Sequence, residues 1–383
     1  MKFKKLTTLV ICGAMALSLA ACGSGGSSSS GSSSSSAASS ASASASAKSE
    51  AVTSSSSSGA GESVSSGSSA SAASRPDLSG KDLSGLKLGM AFRHGSNDTY
   101  MTSYFQHMKN YAKTVGVDLV LLDAVDDVTK QTNQVQDLIQ QKCDVIMIWP
   151  VNSESSVAQA KSVQQAGIPC LMCNSNVTDD GIDYTVGFVG PDDYTEGYNA
   201  AKQAMTDLGS SAKGAKVLFV EGVNGQQQAQ ARKEGMQKAV EEAGGTFVDS
   251  QTSEGKREKA QQVAENWLVK YPSKGDITAI MTFDDNTAVG VYNAVKAAGR
   301  EGEFPIWAAA TGDYSIISGY IKDGKIAGAS LQSPITESET ALDWACWIAL
   351  GNDLPSKSVF IDTPVITKEN FDQVDQGNFE KLI

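Results

Sequence analysis

The sequence of 383 residues predicts an α/β protein with two lobes that face each other across a cleft. Two observations lead to this prediction. From residue 86 onward, short runs that are apolar throughout alternate with amphipathic helical patterns, and such runs are typical of strands buried on both faces of a parallel sheet. The alternation then starts again after Gly190-Pro191-Asp192, which indicates a second βα series and therefore a second lobe.

The first series contains four predicted strands, at 87–92, 118–123, 145–149 and 168–173. The helices between them are predicted at 100–115, 128–142 and 154–166. Gly116 and Gly167 stand where two of these helices should end, because glycine favours the left-handed conformation of a helix C-terminus.

The second series is longer. Its strands are predicted at 216–221, 246–251, 277–282, 306–310 and 328–331. Its helices are predicted at 192–208, 229–243, 258–271, 286–298 and 315–322, and a last long helix at 337–350. In open sheets of this type ligands bind beyond the carboxyl ends of the strands, so the cleft between the lobes is the predicted binding site.

The N-terminus has the pattern of an export signal, predicted over residues 1–21. Lys2, Lys4 and Lys5 precede an apolar run that is too short for a spanning helix with ordinary flanks. The stretch 19–23, Leu-Ala-Ala-Cys-Gly, resembles the lipobox of bacterial lipoproteins, which implies that Cys22 carries a diacylglyceryl anchor. Two acyl chains give stable membrane attachment. The alternative is a plain cleaved signal with an incidental cysteine.

Residues 22–74 form a predicted linker. Beyond Cys22 they are almost entirely Ser, Ala and Gly, a composition with too little apolar surface to offset chain entropy, so we expect disorder. A flexible coil of this length spans on the order of 40 Å. We therefore expect an exported protein held by its lipid over the outer face of the cytoplasmic membrane, extracellular in a Gram-positive cell.

The charge balance limits the partners. The chain has 43 acidic and 31 basic residues, a net charge of −12, and loss of the signal lysines would bring the mature chain to about −15. Such a balance argues against nucleic acid and anionic membrane surfaces as partners. We expect membrane contact through the lipid anchor alone, and a monomer.

The four cysteines of the folded part, Cys143, Cys170, Cys173 and Cys346, lie in apolar segments. Cys170 and Cys173 have the spacing of a redox or zinc motif. On a predicted strand, however, residues three apart point to opposite faces, which suits neither function. Buried structural cysteines are the favoured interpretation, and we expect no metal and no cofactor.

From residue 84 to the end, the sequence resembles the sugar-binding proteins of the ribose-binding type, the type I solute-binding proteins of ABC transporters. The segments that carry the resemblance are 117–123, 134–138, 143–150, 166–169, 222–232 with Gly235, 283–286 and 323–325. The family implies two Rossmann-like lobes joined by a hinge of three crossovers. The implied lobes are residues 84–190 plus about 333–362, and 191–332 plus about 363–383.

The resemblance also implies a ligand-binding site. The positions it carries over are Asp98, Tyr100, Asn174, Ser175, Arg232, Asp284 and Gln332, and we add Arg93, Trp149 and Asp313 as further candidates. Planar groups that form paired hydrogen bonds suit sugar hydroxyls, which both donate and accept.

Most of the candidates also have a local interpretation. Arg93 and Arg232 suit surface ion pairs, and Asp98, Asn174 and Asp284 suit helix caps or turns. Tyr100 and Trp149 suit the core of a lobe, and His94 could touch the ligand or lie solvated at the cleft rim.

The sequence departs from the ribose pattern at several of these positions. Asn174 and Ser175 stand where ribose binders have an aspartate and an arginine, and a stacking aromatic is replaced near 254–257. Thr311-Gly312-Asp313 replaces a phenylalanine and an aspartate. These changes favour another pentose, a polyol or another small polar molecule over ribose.

The predicted function is therefore capture of a small sugar or polyol, hinge closure, and delivery to the membrane permease of an ABC importer. One alternative is a sensor whose closed form is presented to a receptor. Another is an extracellular carbohydrate-active enzyme that uses paired acids such as Asp98 and Asp284. A transcription regulator is excluded by the export signal and by the absence of a DNA-binding helix pair from the sequence pattern.

Overall fold

A computed structural model describes residues 75–96 and 99–374. The predicted signal, Cys22, the linker to residue 74 and the candidate Asp98 lie outside the described residues. The described part contains two six-stranded sheets, each flanked by helices. Helices and strands are numbered below in chain order.

The sheet of the first lobe is entirely parallel. It contains β1 (Lys87–Phe92), β2 (Asp118–Asp123), β3 (Val145–Ile148), β4 (Cys170–Cys173), β5 (Gly187–Gly190) and β11 (Ser358–Phe360), in the spatial order β11-β5-β4-β3-β1-β2. The helices of this lobe are α1 (Thr99–Val115), α2 (Val128–Gln140), α3 (Ser153–Gln165) and α9 (Pro334–Ala349). Its central strands bury both faces, as their apolar runs predict: Met90 of β1 lies in the core with α1 and α9, and Ala91 in the core with α2 and α3.

The second lobe repeats this arrangement. Its sheet contains β6 (Lys216–Glu221), β7 (Thr246–Thr252), β8 (Ala279–Thr282), β9 (Ile306–Thr311), β10 (Gly328–Leu331) and β12 (Val365–Thr367), in the order β12-β10-β9-β8-β6-β7. Its helices are α4 (Asp193–Leu208), α5 (Gln227–Glu242), α6 (Arg257–Lys270), α7 (Asp285–Ala297), α8 (Tyr314–Lys322) and α10 (Phe371–Val374). All strand pairs are parallel except β10 and β12, which are antiparallel.

The chain passes between the lobes three times. It crosses from β5 to α4 at residues 191–192, from β10 to α9 at 332–333, and from β11 to β12 at 361–364. The predicted fold class, with two α/β lobes and a three-crossover hinge, is confirmed.

Side-chain caps start the helices that border the cleft. Asp192, Asp284, Asp313 and Ser333 are N-caps, and each accepts a hydrogen bond from the backbone N–H three residues later. Such a cap satisfies one of the N–H groups left without a partner in the first turn. The last long helix begins at Pro334 and not at 337, because Ser333 caps it and proline suits the first turn of a helix.

The sequence pattern missed three strands. β5 has only four residues with glycine at both ends, and β11 and β12 have three residues each, too few for an apolar run to stand out. The other strands begin and end within two residues of their predicted bounds.

The cysteines of the folded part are free and buried, as predicted. Cys170 packs on the α2 and α3 side of the first sheet and Cys173 on the α1 and α9 side, so the two side chains point to opposite faces. In the described ranges, no group of three or more His, Cys, Asp or Glu side chains could hold a metal ion, and no helix is long and apolar enough to cross a membrane.

Candidate functional site

A cleft of about 660 Å³ lies between the lobes, lined by residues from both. This volume is within the range of small-molecule sites. Its walls include eight of the predicted site residues: Arg93, Tyr100, Trp149, Asn174, Arg232, Asp284, Asp313 and Gln332.

A buried carboxylate, Glu337, joins three of these residues. It lies in the first turns of α9, just after the second crossover, and its side chain is fully buried. Its Oε2 accepts hydrogen bonds from the Tyr100 hydroxyl and, at 3.0 Å, from Gln332 Nε2, and its Oε1 accepts one from Asn174 Nδ2 at 3.0 Å. Gln332 Nε2 also donates to the Tyr100 hydroxyl at 2.8 Å. One carboxylate therefore holds side chains from α1, the end of β4 and the hinge.

Burial raises the pKa of the Glu337 carboxyl to about 7, although the hydrogen bonds from Tyr100, Gln332 and Asn174 lower it. Burial, followed by the nearby Glu337 carboxylate, also raises the pKa of the Tyr100 hydroxyl well above its ordinary value. Tyr100 is thus a neutral donor across the physiological pH range.

Arg232 is a buried cation of the second lobe. Its Nε donates to Asp193 Oδ1 at 2.8 Å and its Nη2 donates to Gln332 Oε1 at 2.9 Å. Glu196 Oε2 lies 3.1 Å from Nη2, although not aligned for a hydrogen bond. Burial acts to lower the pKa of the Arg232 guanidinium, but the two carboxylates outweigh it and raise that pKa.

A glycine on the neighbouring helix lets Arg232 sit so deep. A Cβ on Gly197 of α4 would lie 2.2 Å from the backbone oxygen of Arg232, so only glycine allows α4 and α5 to pack this closely. The guanidinium carbon then lies 4.9 Å from the centre of the Phe283 ring, at cation–π distance.

Asp284 and Asp285 follow the end of β8. Asp284 accepts from Thr287 N at 2.8 Å as the cap of α7. Asp285 Oδ2 accepts from Thr311 Oγ1 at 2.6 Å and from Asp313 N at 3.3 Å, which ties the start of α7 to the loop after β9. Burial raises the pKa of both carboxyls, that of Asp285 to about 7 with a further contribution from the Asp284 charge.

Comparison with known proteins identifies the family. Residues 88–353 match the periplasmic binding protein domain. The chain belongs to that family. It is 28% identical over 277 residues to the xylitol-binding protein of Mycolicibacterium smegmatis, covering 72% of this chain and 75% of the relative. It is 26% identical over 273 residues to the ribose import binding protein of Salmonella typhimurium, covering 71% and 88%.

A solved structure agrees. The ABC transporter periplasmic solute binding protein of Actinobacillus succinogenes with bound D-allose matches with a TM-score of 0.67 at 25% identity, covering 75% of this chain and 99% of that one. The resemblance predicted from the sequence is confirmed. Members of this family bind substrates and are not enzymes, so the chain is a solute-binding protein and the enzyme alternative is not favoured.

In this periplasmic binding protein, Asp284 combines its two predicted roles, as a helix cap and as a residue of the cleft, and Asp313 has the same two roles. Asp313 lines the cleft and caps α8, accepting from Ile316 N at 3.1 Å and from Ser315 Oγ at 2.6 Å. Capping therefore does not remove either side chain from the cleft wall.

Arg93 lies at the cleft but already has a carboxylate partner. Its Nε donates to Asp126 Oδ1 at 2.7 Å, and His94 Nδ1 lies 2.9 Å from Asp126 Oδ2. Arg93 lines the cleft, whereas His94 is not among its lining residues.

Trp149 belongs to both of its predicted settings. Its side chain is only 2% exposed and packs edge-on against Phe92 and Tyr104, with ring centres 4.8 and 5.1 Å apart. It also lines the cleft beside Tyr100, at 6.2 Å. Trp149 is thus a core residue that forms part of the wall.

Ser175 does not line the cleft, but it connects the two lobes. Its Oγ donates to Gln228 Oε1 on α5 at 2.9 Å and lies 3.3 Å from Asn174 Oδ1. Asn174 itself has a positive φ of 60°, a conformation that asparagine tolerates better than most residues and that follows the end of β4.

The sequence analysis missed Glu337, Asp193 and Glu196. All three are buried or nearly buried acids in the first turns of α4 and α9. One signal could have found them, because each follows a crossover of the hinge within five residues.

Proposed function

We propose that this protein is the solute-binding component of an ABC importer and captures a small uncharged sugar or polyol. The observation that carries the proposal is the convergence of planar hydrogen-bonding side chains from both lobes and the hinge on one cleft. Asn174 comes from the first lobe, Arg232 and Asp284 from the second, and Gln332 from a crossover. Groups of these types suit the vicinal hydroxyls of a sugar, which donate and accept at once.

The charges of the cleft favour an uncharged ligand. Arg232 is already balanced by Asp193 and Glu196, and Arg93 by Asp126. An anionic ligand would have to compete with these carboxylates for the guanidinium groups. A neutral polyhydroxylated ligand needs no such exchange, because it uses the remaining hydrogen-bonding capacity of groups whose charge is already compensated.

The relatives bind molecules of this class. One is a xylitol-binding protein, one imports ribose, and one solved structure contains D-allose. All three ligands are polyhydroxylated and uncharged. The replacements at Asn174, Ser175 and Thr311 still favour a pentose other than ribose, or a polyol, for this chain.

Binding is coupled to closure of the hinge. We propose that residues 84–190 with about 333–362 move as one body, and 191–332 with about 363–383 as the other. A ligand that touches both lobes has a higher affinity for the closed arrangement and therefore shifts the equilibrium towards it. The closed protein then docks on the membrane permease, as a monomer.

We further propose that Cys22 carries the lipid anchor and that residues 23–74 are the tether. The support is the lipobox-like stretch before Cys22 and the Ser, Ala and Gly composition after it. This places the protein at the outer face of the cytoplasmic membrane. Acyl labelling of cells that express wild type or Cys22→Ser tests the anchor, and equal labelling of the two would contradict it.

The function is tested by thermal unfolding of the mature chain carrying Cys22→Ser, screened against pentoses, hexoses, polyols, nucleosides and amino acids. A ligand at a thousand times its dissociation constant adds about 4 kcal/mol of stability, which raises the melting temperature by several degrees. We expect a pentose or polyol to give the largest rise. If only a nucleoside or an amino acid raises the melting temperature, the proposed ligand class is wrong.

A further inference from the structure

We propose that Glu337 is the positioning residue that fixes which hydrogen-bonding groups the first lobe and the hinge present to the ligand. Glu337 accepts hydrogen bonds from the amide nitrogens of Asn174 and Gln332, and the carbonyl oxygens of these amides therefore point away from it. As a result, the first-lobe side of the cleft selects ligand groups that donate hydrogen bonds. This inference rests on the proposed function and refines its ligand class towards molecules with free hydroxyls.

The amide orientations follow from the chemistry of the carboxylate. An ionised carboxylate can only accept, so each amide facing it must present its NH2 group. Asn174 Nδ2 and Gln332 Nε2 are both 3.0 Å from a Glu337 oxygen. The Gln332 carbonyl oxygen then accepts from Arg232 Nη2 at 2.9 Å. The Asn174 carbonyl oxygen lies 3.3 Å from the Ser175 hydroxyl and has a second lone pair to offer.

The hydroxyl group of Tyr100 is also used in hydrogen bonds within this network. It donates to Glu337 and accepts from Gln332 Nε2 at 2.8 Å, both within the buried network. The tyrosine therefore offers the ligand its ring and not its hydroxyl. Among the three side chains bonded to Glu337, the acceptor left for the ligand is the Asn174 oxygen, and a ligand hydroxyl is the donor that suits it.

A carboxylate at position 337 is unusual for the buried face of a helix. Farther along the same face of α9 the buried residues include Ala341, Trp344 and Ile348. A buried carboxylate costs stability unless several donors compensate it. Its three donors all come from residues that line the cleft, which is the arrangement expected of a residue that orients a binding site.

The titratable groups that face Glu337 are few. They are Tyr100 and Tyr104 from α1, Cys173 from β4, and Asp193 and Glu196 from α4. Burial raises the pKa of both tyrosines and of Cys173 well above their ordinary values, so these three stay neutral near pH 7. Arg232 faces the network through Gln332 and stays charged. Among the groups that face Glu337, a pH effect between 5.5 and 8 is therefore assigned to Glu337, Asp193 or Glu196. Asp284 and Asp285, whose pKa values burial also raises, are further acids across the cleft.

The test is the affinity of the mature Cys22→Ser chain for xylitol, D-ribose and D-allose, measured by calorimetry from pH 5.5 to 8. Protonation of Glu337 replaces an acceptor by a donor, which three existing donors cannot accommodate, so affinity should fall about tenfold or more from pH 7.5 to 5.5. Glu337→Gln should weaken binding at pH 7.5 by tenfold or more and remove this pH dependence. The pH dependence of affinity should be retained in Asp193→Asn, Glu196→Gln and Asp285→Asn.

A matched control lies two residues along the same helix. Glu339 pairs with His107 at 2.9 Å and with Arg75, away from the cleft, so Glu339→Gln should bind like wild type. A second readout uses monofluorinated deoxy analogues of the best probe, because fluorine cannot donate. For wild type, fluorine at one position of the ligand should lower the affinity tenfold or more. The same analogue should lower the affinity of Glu337→Gln by less, since the Asn174 and Gln332 amides are no longer fixed in that variant.

The outcomes separate the two proposals. If wild type binds none of the three probes nor any other polyol, the proposed function is wrong and this inference falls with it. If wild type binds a probe but Glu337→Gln matches it in affinity and in pH dependence, the function stands and the role of Glu337 is wrong. If Glu337→Gln does not fold, the two wild-type measurements still test the inference. It is overturned if wild-type affinity does not change with pH and if no fluorinated analogue binds more weakly than the parent ligand.

Discussion

The ring of Tyr100 occupies the space above Gly312. A Cβ on Gly312 would lie 2.2 Å from Cδ2 of Tyr100 and 2.5 Å from the backbone oxygen of Gln332. Tyr100 belongs to the first lobe and Gly312 to the loop after β9 in the second, so this contact crosses the cleft. The lobes meet here without room for one methyl group.

Replacing Gly312 by alanine should therefore hinder closure. The added methyl must displace the Tyr100 ring or the Gln332 backbone, and overpacking of this kind costs about 1–3 kcal/mol. We expect ligand affinity to fall about tenfold or more. Gly319→Ala in α8 is the control, since a Cβ there meets nothing within 4 Å. Calorimetry measures both variants, and equal affinities would show that the Tyr100–Gly312 contact does not limit closure.

Arg232→Ala should destabilise the protein as well as abolish binding. It leaves the Asp193 and Glu196 carboxylates buried without their cation, which typically costs about 3–5 kcal/mol. Urea unfolding measures the loss. Lys238→Ala on the same helix removes only an exposed pair with Glu242 and should change stability by less than about 1 kcal/mol. A small effect of Arg232→Ala would mean that its two acids are protonated in the folded protein.

The contribution of Glu337 and Asp285 to stability in the absence of ligand should decline as pH rises towards 7. The pKa values of Glu337 and Asp285 are raised to about 7 in the folded protein from ordinary values of 4.5 and 3.8. The folded state then binds protons more tightly, so the stability these groups contribute is fully present below their unfolded pKa and is lost as pH rises through 7. For Glu337 the change is on the order of 3 kcal/mol.

Urea unfolding of wild type, Glu337→Gln and Asp285→Asn between pH 4.5 and 8 measures this effect. Each variant should have a smaller slope than wild type over that range. Ligand affinity should change in the opposite direction, rising with pH, because the site uses the ionised form of Glu337. Parallel slopes for all three proteins would contradict the raised pKa values.

The Ser175–Gln228 hydrogen bond should contribute to closure. It joins the end of β4 to the start of α5, and a net bond of this type contributes about 0.5–1.5 kcal/mol. In a double-mutant cycle on ligand affinity, Ser175→Ala and Gln228→Ala should be coupled by about that amount. Ser175→Ala paired with Gln230→Ala is the control, because Gln230 bonds to Glu234 within its own helix. Additive effects of Ser175→Ala and Gln228→Ala would mean that the bond is absent in the closed, liganded form.

The fold could be predicted from the sequence largely because its strands are buried on both faces. An apolar run such as 145–149 indicates a strand by its own composition, without knowledge of the strands that pair with it. β5 could not be predicted because glycine stands at both of its ends, and β11 and β12 because three residues form a strand only when a neighbouring strand provides the hydrogen bonds. Their pairing depends on residues far away in the sequence, as with Gly187 of β5, which pairs with Leu171 of β4 and packs against Lys357.

The site was predictable where a residue follows the end of a strand. Asn174 and Asp284 stand there, and the topology alone brings such positions to the cleft. Glu337 and Glu196 could not be found in this way, because they lie in the first turns of helices and not at the end of a strand. Their position just after a crossover marks them as candidates, but the sequence pattern does not show their burial. Nor does it show that Glu337 bonds to Asn174 and Tyr100, which lie more than a hundred residues away.

The positions of β11 and β12 have a consequence for how the chain acquires its structure. Each is an edge strand of a different sheet, and both lie within residues 358–367, close to the C-terminus. The first lobe pairs β11 with β5, some 170 positions earlier, so neither sheet is complete until residues 358–367 have been synthesised. Contacts of such long range form slowly. For a chain that carries the predicted export signal, late completion keeps both lobes unfinished during synthesis, when an unfolded polypeptide is the form that can pass through a membrane.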